Sequence, residues 1–350
     1  MSEIKKTKSG LLDYLIKTMN GMALGLFSTL IIGTIIETIG KFLPKGEVYT
    51  VLQNVSGLLK TLMGLGIGVG IAFVLKLEGL KLISAACAGV ISAYMSGTVG
   101  YKIGDPLVTY FVVIGTIELV NLILTKKTPV DIIIVPFITV IIATIITLAI
   151  NRPVSFVTTG IGQFVEEATN LQPFLMGIVI SVVMGMALTA PISSAAIAFA
   201  IALGGSTGGI SGGAAVVGCS VQMIGFAVMS RKDNNIGTVI SVGIGTSMLQ
   251  FKNIMRKPII WLPTIIVSAI LGPIATLVFG TLASKVGAGM GTSGLVGPID
   301  TLTQMNGSTM GWLSVILLMF VLPIILVWII DEIFRKKGWI VKGDLKIWFL

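Results

Sequence analysis

The chain has 350 residues, of which 54 % are hydrophobic and only 11 % charged, and its mean hydropathy is +1.01. Soluble domains carry about 25 % charged residues, so this composition excludes a water-soluble globular protein; at roughly 20 residues per span plus a connection, there is room for about ten transmembrane helices. Histidine is absent, which removes imidazole metal ligands, histidine bases and a phosphohistidine on this chain. The net charge of +9 falls in short Lys/Arg clusters between apolar runs, the pattern of topology-setting charges facing anionic lipid rather than of a nucleic-acid surface.

Residues 1–18, with Lys5, Lys6, Lys8 and Lys17, read as a cytoplasmic tail without a signal-peptide cleavage pattern. Apolar runs predict spans at about 19–40, 51–75, 80–100, 107–125, 130–150, 173–203, 208–230, 258–284 and 311–334. Within the second, the pairs Gly64/Gly68 and Gly66/Gly70 have the small-xxx-small spacing of close helix contacts. The mixed-polarity segment 154–172, containing Glu166 and Glu167, is expected to be an interfacial helix or linker joining the halves 19–153 and 173–335 of one transmembrane domain. Residues 336–350 form a basic cytoplasmic tail. Cys87 and Cys219 lie in apolar Gly/Ala-rich stretches that suit reduced, buried thiols.

The clusters Lys126-Lys127, Arg231-Lys232, Lys252 with Arg256-Lys257, and Arg335-Lys336-Lys337 are expected on the cytoplasmic side, with both termini. The number of full crossings is then even. Either 173–203, broken at Pro191, holds more than one membrane element, or a Gly-rich piece such as 208–230 or 236–250 enters and leaves on one side.

Two stretches are too apolar for wet loops and too Gly-rich for good helices: 203–213, followed by Ile244-Gly245-Thr246-Ser247-Met248-Leu249-Gln250, and 287–301, running on to Gln304-Met305-Asn306-Gly307. Non-helical backbone at membrane depth must be shielded by protein or line a wet cavity, so both are read as re-entrant or broken segments enclosing a site.

Ionisable and amide side chains inside apolar spans mark candidate site residues. Glu118 has Asn121 one turn away on the same face, and the pair can accept sugar hydroxyls or a cation or simply join helices. Ser193 and Ser194 follow Pro191, where a broken helix exposes backbone groups. Gln222 and Gln250 both donate and accept hydrogen bonds, as a polyhydroxylated ligand requires. Thr292 and Ser293 sit in the second Gly-rich stretch, and Asp300 has polar company in Gln304 and Asn306. The set describes a neutral, hydrogen-bonding cavity suited to a sugar or similar small polar solute. No P-loop, Rossmann fingerprint, HExxH or GxSxG elbow is present, so no catalytic residue, metal site or cofactor is expected on this chain.

Particular strings carry a family likeness: Pro173-Phe174-Leu175-Met176-Gly177-Ile178-Val179-Ile180-Ser181, Leu188-Thr189-Ala190-Pro191-Ile192-Ser193-Ser194-Ala195-Ala196, Gly218-Cys219-Ser220-Val221-Gln222-Met223, Gly245-Thr246-Ser247-Met248-Leu249-Gln250, Pro258-Ile259-Ile260-Trp261-Leu262-Pro263, and Gly289-Met290-Gly291-Thr292-Ser293-Gly294-Leu295-Val296-Gly297-Pro298. From about residue 12 to the tail the chain resembles the EIIC-like membrane proteins, stand-alone phosphotransferase-system IIC subunits grouped with perfringolysin-type toxin regulator proteins. The resemblance implies a permease of the bacterial inner membrane, a homodimer with a scaffold and a moving domain. It would pass a sugar to a separate IIB subunit, itself charged by IIA, whose phosphocysteine phosphorylates the sugar. Well-understood IIC permeases use a His and a Glu-Pro motif around the sugar. Here His is absent and Ala190-Pro191 lacks the acid. At most, the chain is the permease component of such a system. A membrane-embedded ligand sensor without transport, or a carrier of a lipid-linked or organic-acid substrate, are the alternatives.

Overall fold

A computed structural model describes residues 2–41, 43–97, 104–125, 128–190, 192, 194–200, 203 and 209–347; Lys126-Lys127, Pro191, Ser193 and the run 204–208, all invoked above, lie outside the described residues. Among the described residues the chain is helical, with no strand and one isolated bridge between Gly209 and Ala283. Seven helices are long and apolar enough to cross a bilayer: Asp13–Gly40, Gly79–Ser96, Pro106–Ile123, Asp131–Ala168, Ile210–Ser230, Pro258–Leu277 and Thr309–Lys336. The pair Glu47–Thr61 and Met63–Val74, bent by 51°, makes an eighth if taken as one span. Pro173–Thr189 and Ile236–Gly245 are apolar but shorter. The chain is therefore an all-α, multi-pass membrane protein, and the count of spans stands at seven or eight among the described residues rather than at an established ten.

Two compact units are present, Met1–Gly33 with Thr50–Phe156, and Thr34–Tyr49 with Val157–Leu350. In the first, Met63–Val74 is a two-sided glycine contact. Gly66 and Gly70 lie against Gly25 and Gly21 of Ser2–Leu26, while Gly64 and Gly68 lie against Gly89 and Ala85 of Gly79–Ser96. A methyl on Gly25 would overlap the Gly66 carbonyl, and one on Gly89 the Gly64 carbonyl. Lipid gives no hydrophobic drive for helices to associate, so close backbone approach supplies the dispersion contacts instead. Pro106–Ile123 begins at Asp105, whose carboxylate accepts from the amides of Leu107 (2.8 Å) and Val108 (3.4 Å), with Pro106 in the first turn where its missing N–H costs nothing.

Asp131–Ala168 runs unbroken through Pro136 and Pro153, so the segment expected at 154–172 as a separate interfacial piece is, up to Ala168, the end of this helix. Polar residues alone do not stop a helix, and prolines are tolerated in membrane helices; the first true stop comes at Thr169-Asn170, ahead of Pro173. Its most apolar window has mean hydropathy 2.8 and is only 22 % buried, whereas that of Ile210–Ser230 has 1.7 and is 94 % buried. The greasier window is thus the more exposed one, in keeping with the use of small and polar residues for contacts between membrane helices.

In the second unit Ile210–Ser230 is the central rod, packed on Pro173–Thr189, Leu262–Leu277 and Leu322–Lys336. Gly218 meets the Ser181 backbone, Gly225 meets Thr264 and Val327, and Gly272 meets Gly177. Ser181 Oγ donates to the Ser268 carbonyl at 2.7 Å. Gly218→Ala is expected to lower stability by about 1–3 kcal/mol through overpacking. Gly57→Ala, in a helix with nothing within 4 Å of the new methyl, is expected to be neutral or stabilising by up to about 1 kcal/mol. Thermal unfolding in detergent compares the two; equal losses would contradict the packing assigned to Gly218.

Both glycine-rich regions that can be described are broken into short turns. One runs through Ile236–Ile240, a π-helical Ser241–Gly245, Ser247–Gln250 and Phe251–Arg256; the other through Lys285–Ala288, Ser293–Leu295 and Val296–Gln304. Gly291 (φ 51°) and Gly294 (φ 52°) take the left-handed conformation that only glycine adopts without strain. The breaks are well packed, with Gly291 against the Cys219 backbone and Gly289 against that of Ser194-Ala195.

Candidate functional site

Gln222 lies midway along Ile210–Ser230 with none of its surface exposed. Its Oε1 accepts three hydrogen bonds, from Trp261 Nε1 (3.0 Å), Thr264 Oγ1 (3.0 Å) and Thr189 Oγ1 (3.3 Å). Thr189 Oγ1 also shares a 2.9 Å hydrogen bond with Ser247 Oγ. Four elements thus meet at one carboxamide: the last residue of Pro173–Thr189, the centre of Ile210–Ser230, the first residue of the Ser247–Gln250 turn, and both sides of Pro263.

The orientation of the amide follows from chemistry. An indole N–H can only donate, so the oxygen must face Trp261 and the nitrogen must point away. That Nε2 is buried and has no hydrogen-bond partner. An unmade buried donor costs about 1–3 kcal/mol, so the carboxamide whose oxygen gathers these donors ends on its other side in an NH2 with both N–H groups unspent.

The neighbouring break is pinned by the second glycine-rich region. Thr292 Oγ1 donates to the Gly243 carbonyl (2.6 Å) and Ser293 Oγ to the Gly245 carbonyl (2.9 Å). Thr246 Oγ1 accepts from the Met248 amide at 3.2 Å. Thr292 and Ser293 therefore pin the backbone just ahead of Ser247, and each spends its one hydroxyl proton in doing so.

The remaining candidates are dispersed. Gln250 is buried, donating to the Leu345 carbonyl (3.0 Å) and accepting from Asn253 Nδ2 (2.7 Å), which ties it to the C-terminal segment. Ser194 Oγ donates to the Gly289 carbonyl at 2.7 Å. Asp300 accepts from the Ser284 amide and hydroxyl (both 2.8 Å) and from Gln304 Nε2 (3.4 Å), closing the 284–304 loop on itself. Asn306 is an exposed turn residue at φ 51°, a conformation asparagine tolerates better than most. In the first unit Glu118 and Asn121 do not act as a pair: Glu118 accepts from the Tyr14 hydroxyl (2.6 Å) and Asn121 from Lys81 Nζ (2.8 Å). Ser193 lies outside the described residues.

Thr189, Ser247, Trp261 and Thr264 were not among the residues singled out from the sequence. Their common signal is a hydrogen-bonding side chain beside a helix break: Thr189 two residues before Pro191, Ser247 two after Gly245, and Trp261 and Thr264 flanking Pro263.

Several of the basic clusters expected on one side do converge. Arg231 binds Asp331 (3.0 Å) and Glu332 (2.6 Å), Lys232 binds Glu332, Arg335 binds Asp331 (2.9 Å), and Lys257 binds Asp344 (2.7 Å). Burial, with Arg256 nearby, holds the Lys252 ammonium below the usual lysine range. The segment before the C-terminus is laid along this end: Asp233 accepts from the amides of Gly343 (2.8 Å) and Leu345 (3.2 Å), and Asn234 from that of Ile347 (2.8 Å). Among the described residues no group of three or more His, Cys, Asp or Glu side chains could hold a metal.

No curated protein and no solved structure matches the chain. The family profile described as phosphotransferase system, EIIC, matches residues 16–347, a stretch that takes in both units and the whole Gln222 cluster. The chain therefore belongs to the phosphotransferase-system EIIC family.

Proposed function

We propose that the protein is the permease of a sugar phosphotransferase system in the bacterial cytoplasmic membrane, with both termini inside, and that Gln222 contacts the solute. Membership of the EIIC family supports a sugar and separate IIB and IIA partners. The observation that carries the site is the Gln222 carboxamide: buried at the junction of four elements, its oxygen accepting from three side chains and both N–H groups of its nitrogen unspent. Thr189, Ser247 and Thr264 add hydroxyls that can exchange a bond to one another for a bond to a sugar hydroxyl at little net cost. The site is uncharged, which suits a neutral polyol over an organic acid. Ser194, Thr292, Ser293, Asp300 and Gln304 hold the broken backbone in place, and Gln250 anchors the C-terminal segment. Phosphoryl transfer belongs to the IIB subunit, and this chain's part is to deliver the sugar.

The test is uptake of a panel of labelled neutral sugars into proteoliposomes, with and without phosphorylated IIB. At least one sugar should enter, and it should be recovered as the sugar phosphate only when phosphorylated IIB is present. Binding without flux across the whole panel would overturn transport and leave a sensor.

A further inference from the structure

Residues 341–347 are held in place by other elements rather than by regular structure of their own. After the helix Leu322–Lys336, Gly338 (φ 71°) turns the chain and Trp339 packs edge-on to Phe334 at 5.0 Å. The residues that follow form turns, with neither helix nor strand. Polar side chains from two directions seat their backbone. Asp233, whose side chain is fully buried, accepts from the amides of Gly343 (2.8 Å) and Leu345 (3.2 Å). Asn234 accepts from the Ile347 amide (2.8 Å) and donates to the Leu345 carbonyl (2.8 Å). These two directly follow the central rod Ile210–Ser230. From the broken segment, Gln250 donates to the same Leu345 carbonyl (3.0 Å), Asn253 donates to the Lys346 carbonyl (3.2 Å), and Lys257 binds Asp344 (2.7 Å). The Leu345 side chain completes the seat, with none of its surface exposed.

Ser247, the hydroxyl partner of Thr189, thus lies between two tethers. Ahead of it, Thr292 and Ser293 hold the Gly243 and Gly245 carbonyls from a loop that is itself packed, with Gly291 against the Cys219 backbone. Behind it, the tether is the tail. Gln250 ends the turn that Ser247 begins, so moving the Ser247 backbone away from Thr189 pulls on the Gln250 bond to Leu345. The tail, with few backbone hydrogen bonds of its own, is the tether that opens at the lower free energy. Its release also leaves the amides of Gln250 and Asn253, both buried, without their main-chain partners. Buried polar groups that lose partners are costly, so departure of the tail favours movement of 246–257 toward water.

We propose that residues 341–347 are a latch on the Gln222 cluster: seated, they keep Ser247 on Thr189, and their release is the step that frees 246–257 and lets the cluster open. The latch regulates the site at which Gln222 is read to contact the solute, and it rests on that reading for its consequence.

Hydrogen–deuterium exchange of the full-length protein in nanodiscs, read by mass spectrometry without added sugar, tests it. Exchange of a protected amide follows the opening of the unit that protects it. If 246–257 opens only after the tail is released, a variant that loosens the tail must speed both by the same factor. Gly343 has φ 99° and nothing within 4 Å of a methyl placed on it, so Gly343→Ala strains the tail's backbone and disturbs no neighbour. Amides of 341–347 and of 246–257 should then exchange about fivefold to thirtyfold faster, by a common factor, the penalty that a left-handed backbone places on a residue with a Cβ. Leu345→Ala, which removes the buried side chain that seats the tail, should speed both together by a larger factor. Lys342→Gln, at an exposed position of the same segment, should change neither, and the rod 210–230 should respond to none of the three. A rise in 341–347 that 246–257 does not share, no change in either segment, or an equal rise in the rod would overturn the latch. The Gly343→Ala comparison holds even if Leu345→Ala folds poorly. Exchange is read without solute, so failure of the latch and failure of sugar uptake are separate results.

Discussion

Gln222→Leu is expected to lower sugar uptake by about tenfold to a hundredfold, the value of one or two buried hydrogen bonds to a sugar at 1.4 kcal/mol per factor of ten. The same change removes the acceptor of three donors. Thr189 still has Ser247 and Thr264 still has the Trp261 carbonyl, so only the Trp261 N–H is stranded. The stability cost should therefore be about 1–3 kcal/mol, that of a single buried unpaired donor. Trp261→Phe separates the two effects. It removes that donor but leaves the Gln222 N–H in place, so uptake should fall far less than in Gln222→Leu. In the double variant, the loss of stability should be smaller than the sum of the single losses, because with the indole gone Gln222→Leu no longer strands its N–H. Uptake rates in proteoliposomes and unfolding midpoints in detergent supply both halves of the comparison. If Trp261→Phe lost as much uptake as Gln222→Leu, the role assigned to the free N–H would be wrong.

Asp331→Ala is expected to cost about 3–5 kcal/mol, the usual penalty for stranding a charge by removing its buried partner. Asp331 is fully buried and accepts from Arg231 Nη1 at 3.0 Å and from Arg335 Nε at 2.9 Å. Both guanidiniums keep other acceptors, Arg231 in Glu332 and the Val228 carbonyl, Arg335 in the Met229 carbonyl. The loss should then fall at the lower end of that range. Glu332→Ala is the control: that carboxylate is 29 % exposed and its partner Lys232 is 40 % exposed, so solvent screening leaves an expected change of about 0–1 kcal/mol. Unfolding in detergent at fixed ionic strength distinguishes them. Equal changes would mean that the Asp331 pair is no better shielded from solvent than its neighbour.

The class of fold was legible because a bilayer leaves few choices: 11 % charge and long apolar runs permit a helical membrane bundle and little else. The glycine contacts of Met63–Val74 were legible for a similar reason, since a four-residue spacing of glycines puts them on one helix face. The limits of Asp131–Ala168 were not, because polarity in 154–168 suggested a separate element, whereas one helix runs through the point at Phe156 where the two compact units divide. Gln222 stood out as a lone amide in an apolar run, but its partners come from elements 33 to 42 residues away, and no local pattern announces a meeting at that distance. Gln250 shows the converse. It carries the same side chain in similar surroundings, yet it serves the backbone of Leu345, 95 residues on. Asp300 had conspicuous polar neighbours, and those neighbours proved to be its own loop, with Ser284 and Gln304 consuming its oxygens. Residue type marks a hydrogen-bonding capacity, and only the packing decides whether that capacity is already used.

The most direct test is a structure of the protein in lipid nanodiscs with a transported sugar bound. A sugar hydroxyl should lie within hydrogen-bond distance of Gln222 Nε2, with Thr189 and Ser247 parted from each other to reach the ligand. A sugar bound elsewhere, with the Gln222, Trp261, Thr264 and Thr189 bonds intact and closed, would contradict it.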